Sequence, residues 1–132
     1  MRKNLYYKIS VVMVTGGKLG WTSVELLSTD GTRLCSLPNL PTKRYRHSQT
    51  GLVTCGGGGS RSSDQKSCVT FAAGRWKKTH TLGRRWYGHT GWASPRGVML
   101  MGGHGGNRLT TTELLTDNGG ATPSFNLNYE RQ

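Results

Sequence analysis

The chain has 132 residues, 33% of them hydrophobic, with 20 glycines and a formal charge of +12 from 18 Lys and Arg against 6 Asp and Glu. That length holds one domain with a modest core, the glycine content argues against long helices, and no apolar run nears the roughly 20 residues of a membrane-spanning helix. The charge points to an anionic partner (nucleic acid, acidic glycan, lipid headgroup or acidic protein), against the plainer alternative that the basic residues only solvate loops.

In chain order, the opening MRKNLYYKISVVMVTGG starts basic and turns apolar, as a signal peptide does. Lys8 and Ser10 interrupt its apolar part and no clean small-residue cleavage site follows, so Ile9 to Val14 reads as a strand that breaks at Gly16-Gly17. SVELLSTDGT then gives a strand and, at Asp30-Gly31, a hairpin signal, and RLCSL gives the returning strand. A basic, proline-containing connection leads to RYRHSQTG, then to the apolar run LVTC, which stops at Gly56-Gly57. After a polar loop come SCVTF, the turn residues of AAG, and RWKKTHTL. RRWYGHTG follows, then an inserted ASPR, then GVMLM, which stops at Gly102-Gly103. TTELLTDNGG and the final FNLNYERQ complete the chain.

These elements repeat. The glycine pairs begin at positions 16, 56 and 102, separations of 40 and 46 residues, each behind a short β-prone run. Glu25 in SVELL and Glu113 in TTELL are 88 positions apart, two units of 44. His47 and His89 occupy matching places ahead of the second and third glycine pairs. Each unit reads as four short strands joined by hairpins, and one such sheet cannot bury both faces without neighbours stacked on it.

The apolar strand ending in Gly-Gly, the following hairpin, an aromatic such as Trp76 on the next strand, and the Arg-x-x-His approach of Arg44 to His47 resemble the kelch repeat. The resemblance covers roughly residues 10 to 132. The alternating units look similar to a kelch-related group common in invertebrate genomes. The period is shorter than the kelch length of about 50 and nearer the WD40 range, but no Trp-Asp dipeptide occurs. The resemblance implies an all-β fold: part of a kelch-type β-propeller built of four-stranded antiparallel blades, with blade 1 at about 10–46, blade 2 at about 47–88 and blade 3 at about 89–132. A propeller ring takes about four to eight blades. Fewer than three units are present and both ends cut across the repeat, so the chain is expected to be an internal piece of a longer propeller. Its open sheet edges are expected to make it self-associate or lose stability alone.

In such units the connections between second and third strands and between successive units gather at one end. That end collects Lys18, Lys43, Arg44, Arg46, Arg61, Lys66, Arg84, Arg85 and Arg108, with Asp30 and Asp117 at the opposite hairpins. It is the expected binding face, with Lys43, Arg44, Tyr45, Arg46, Arg61, Arg84, Arg85, Trp86, Tyr87, His104 and Arg108 as contact residues. Arg44 has a competing structural reading, forking onto carboxylates or carbonyls between units. Gly16, Gly17, Gly56, Gly57, Gly102, Gly103, His47, His89 and Trp76 read as repeat architecture, and the repeat spacing favours packing over metal binding for the two histidines. Cys55 and Cys68 end and open adjacent strands, so a disulfide between them is geometrically reasonable and implies an oxidising compartment; Cys35 is left over.

Recognition of an acidic protein or acidic glycan is the expected role. Nucleic acid is the first alternative, through aromatics interleaved with the cations. A galactose-oxidase-like enzyme, whose site would lie in other blades, is the second. No catalytic residue, metal ligand set or cofactor is assigned in this chain.

Overall fold

The computed structural model describes residues 11–17, 21–58, 66–104 and 109–131. The first sheet contains β1 (Val11–Thr15), β2 (Val24–Ser28) and β3 (Leu34–Leu37). The second contains β4 (Ser48–Thr50), β5 (Val53–Cys55), β6 (Ser67–Ala72) and β7 (Arg75–Thr81). The third contains β8 (Thr90–Ser94), β9 (Gly97–Met101), β10 (Leu109–Leu115) and β11 (Ala121–Arg131). In each sheet every strand pairs antiparallel with its neighbours in sequence, and none of the sheets is closed. The protein is therefore all-β, with four-stranded sheets for the second and third and three described strands in the first.

Local chemistry sets the turns. Ala73 and Gly74 join β6 to β7 with φ of 51° and 78°, the doubly left-handed type I′ geometry that matches strand twist. Between β2 and β3, Asp30 Oδ1 accepts from Ser28 Oγ (2.6 Å), Thr32 N (3.0 Å) and Thr32 Oγ1 (2.7 Å). Those donors, Ser28 first, hold the Asp30 carboxyl down at about 2. The ASPR insertion lengthens one hairpin: β8 and β9 have five residues each, where β4 and β5 have three.

The core lies between sheets, in two clusters. Val24 and Leu40 from the first sheet and its exit meet Val69 of the second, flanked by Met13, Leu37 and Trp76. Trp76 also donates its Nε1 hydrogen to Pro38 O (2.8 Å) and packs against Phe71. Cys55, Cys68, Leu82 and Trp86 meet Leu100 and Leu115 of the third sheet, with Val53, Val98 and Ala121 beside them. β1 contacts β4 and β4 contacts β8, so the short strands line one side of the stack. Cys55 and Cys68 face each other across β5 and β6 and are joined by a disulfide; Cys35 is free and exposed.

Among the described residues, nothing packs on one face of the first sheet. The register places Val12 opposite Leu27, and Leu27 opposite Leu34; the three are 49%, 36% and 63% exposed. Val14, on the same face, is 51% exposed. Among the described residues no strand pairs with the other edge of β1.

Candidate binding surface

The glycine pairs lock one sheet to the next. Gly16 has φ of 61°, and a Cβ there would meet Arg44 O at 2.5 Å and the His47 ring at 2.8 Å. Gly56 has φ of 63° and stands in the same way against Trp86 O and the His89 ring. Gly17 N donates to Arg44 O (2.9 Å) and Gly57 N to Trp86 O (2.7 Å). Only glycine fits where the backbone is left-handed and a carbonyl approaches this closely. The histidines bridge the same junctions: His47 Nε2 lies 2.8 Å from Thr15 Oγ1, and His89 Nε2 lies 2.8 Å from Ser48 Oγ. Burial pushes both imidazole pKa values below the usual range, helped by the Arg44 charge at His47 and by His47 at His89. His89 falls to about 4, so both rings are neutral near pH 7.

These junctions decide where the expected contact residues go. Arg44, read from sequence either as a contact on the binding face or as a fork between units, and Trp86, read as a contact, are 1% and 0% exposed. Both belong to the interior, for different reasons. Arg44 donates from Nη1 to Gly56 O (2.8 Å) and Ser67 O (3.0 Å), and from Nη2 to Ser67 Oγ (2.7 Å), turning the exit of the first sheet onto the second. Trp86 occupies the repeat-equivalent position and fills the second junction with apolar surface. One backbone site is thus packed once by a hydrogen-bonded cation and once by an indole.

The remaining cations stay outside. Lys43, Arg46, Arg84 and Arg85 are exposed in the connections between sheets. Lys43 Nζ sits 4.7 Å from the centroid of the Trp21 ring, which also meets Tyr45 at 6.2 Å. The Arg46 guanidinium lies 5.9 Å from the Tyr87 ring, and Tyr87 stacks on His104 at 5.4 Å with 13° between planes. Tyr45 exchanges backbone hydrogen bonds with Gly58, and Tyr87 does so with His104, so the two half-buried tyrosines are fixed alike. Arg84 Nε is 3.9 Å from Oε1 of the buried Glu113, whose Oε2 accepts from Gly83 N (3.3 Å). That pairing leaves Lys43, Arg46 and Arg85 as the cations best placed to meet an external anion. Lys66 is exposed beside β6; Lys18, Arg61 and Arg108 lie outside the described residues.

Charge at the hairpin end is mixed, with Arg33, Arg75 and Arg96 beside Asp30 and Asp117. The Asp117 hairpin moreover reaches across to the second sheet, where Thr81 N donates to Gly119 O (2.8 Å). The separation of charge is therefore clearest around the inner connections and weaker at the periphery. Trp21, as the platform under Lys43, escaped the sequence reading; its one signal is an aromatic in the same loop as Lys18. Among the described residues no group of three or more His, Cys, Asp or Glu is placed to hold a metal ion. No protein-family model matches the chain, and no curated protein matches it.

Proposed function

We propose that the protein is a recognition module, a set of kelch-like propeller blades whose connections present a cationic face to an acidic protein or acidic glycan. The resemblance in the repeat supports the propeller reading, together with sheets that stack in chain order and lock through equivalent glycines and histidines. One observation carries the binding reading: Lys43, Arg46 and Arg85 stand exposed on connections that the sheet junctions hold rigid. Loops on a rigid scaffold are where such folds place recognition.

Nucleic acid is the second reading. It is favoured by the Arg46–Tyr87–His104 stack, a cation beside parallel rings of the kind that accepts an unpaired base. The two readings separate on titration with a sulfated polysaccharide, an acidic peptide and a mixed-sequence single strand. Under the first reading the polysaccharide or peptide binds at least as tightly as the strand. Preference for the strand, with aromatic fluorescence quenched by stacking, favours the second.

The open face of the first sheet belongs to the same proposal. Val12, Val14, Leu27 and Leu34 form an apolar surface that a neighbouring blade would cover, and the protein alone is expected to self-associate through it.

A further inference from the structure

A cleft of about 270 Å³ opens between the exit of the first sheet and the outer strands of the second. Pro41, Thr42 and Arg44 form one wall, and Ser67, Val69, Trp76 and Lys78 form the other. Its size is near the lower limit of small-molecule sites, enough for a single ring with its substituents. Each wall carries one cation. The Arg44 guanidinium is buried, where its field is less screened than at the surface, and Lys78 is exposed on β7. Trp76 adds an aromatic wall whose Nε1 is already engaged with Pro38 O, so the indole contributes apolar surface. The Thr42 hydroxyl, at the cleft wall, is buried without a hydrogen-bond partner among the described residues, so a ligand hydroxyl that reached it would satisfy it.

We propose that this cleft binds the carboxylate-bearing ring of an acidic sugar. The carboxylate lies toward Lys78 and the Arg44 charge, the apolar face of the ring lies on Trp76, and a ring hydroxyl meets Thr42. A flexible Asp or Glu side chain would satisfy the cations and leave the indole wall uncovered, so a uronic acid matches the cleft better than an acidic peptide. Thr42 and Arg44 of the cleft belong to the same connection as the exposed Lys43 and Arg46. The inference rests on the recognition reading and names the glycan branch of it.

The test titrates the protein with methyl β-glucuronide, methyl β-glucoside and glutarate, followed by saturation-transfer NMR. Retention on a sulfated polysaccharide column is measured alongside. The glucuronide is expected to bind, the neutral glucoside about tenfold more weakly, and glutarate no better than the glucoside. Lys78→Gln, an exposed change that spares the core, is expected to weaken the glucuronide by about five- to tenfold. Thr42→Val is expected to weaken glucuronide and glucoside alike. Equal binding of glucoside and glucuronide, glutarate binding as well as the glucuronide, no glucuronide binding, or an unchanged affinity in Lys78→Gln each overturns the inference. If the glucuronide fails while the column still retains the protein, the cleft is wrong and the recognition reading stands. If both fail, the glycan branch of the recognition reading falls with it.

Discussion

At the residue scale the sharpest consequences sit at the sheet junctions. A methyl group at Gly56 would collide with Trp86 O and the His89 ring on a backbone already at positive φ. Gly51 shares the positive φ, at 57°, but has open space where a Cβ would stand. Gly51→Ala is thus expected to cost about 1 kcal/mol, the strain of a left-handed alanine, and Gly56→Ala at least about 3 kcal/mol. Denaturant melts of the two variants separate close approach from conformational strain. Ala73 offers the converse: it occupies the left-handed region at φ of 51°, and Ala73→Gly should stabilise by about 1 kcal/mol. The histidines give a pH dependence. His89 titrates near 4 when folded and 6.5 when unfolded, so between those values the unfolded chain binds the extra proton. Its neutral-state stability is complete above pH 6.5 and is lost as pH falls toward 4, a change on the order of 3 kcal/mol. His47 shifts in the same direction. Thermal melts from pH 7 to 4.5 should show the loss, with a shallower slope in His89→Gln. Gly16, Gly56 and the paired histidines were legible because recurrence at a fixed spacing marks them. Arg44 was half legible: its forking onto carbonyls between units was one of two readings, and the carbonyls of Gly56 and Ser67 decide for it. The burial of Trp86 carried no such signal.

At the scale of elements, strand order followed from the spacing of apolar runs and turn residues, although β4 (SQT), β7 (RWKKTHT) and β8 (TGWAS) lie on polar or mixed stretches between them. The exact pairing was not legible: β10 and β11 shift register twice, at Leu109/Thr111 and Thr111/Glu113, and nothing in TTELL announces a bulge. The Cys55–Cys68 bridge was legible because both cysteines border one loop. It closes that loop at a sequence separation of 13, buried in the second junction. Replacing both cysteines with serine should cost about 3 kcal/mol through the loop closure alone, plus the burial of two hydroxyls among Leu82, Trp86 and Leu100. Alanine at both sites, which adds no polar group, should lose less. Chemical denaturation of the two double variants checks the order.

At the scale of the molecule, three stacked sheets leave one end of the stack apolar and one rim cationic. The all-β class was readable from composition and periodicity. The uneven distribution of charge was only half readable, because Arg44 turns inward, Arg84 pairs with Glu113, and the Asp117 hairpin leans onto β7. On the proposal of an open blade face, Val12→Thr with Val14→Thr should reduce association at high concentration in sedimentation velocity without lowering the melting temperature by more than a few degrees. The cationic rim is the central claim, and a charge-matched comparison tests it most directly. One variant carries Lys43→Gln, Arg46→Gln and Arg85→Gln in the sheet connections; the other carries Arg33→Gln, Arg75→Gln and Arg96→Gln in the hairpins. Both lose the same charge, so binding to a sulfated polysaccharide as a function of salt isolates position from net charge. The connection variant should bind at least about tenfold more weakly, with a flatter salt dependence, while the hairpin variant stays within about twofold of the parent. Equal losses in the two variants would contradict a localised binding face and leave only the nonspecific attraction of a basic chain.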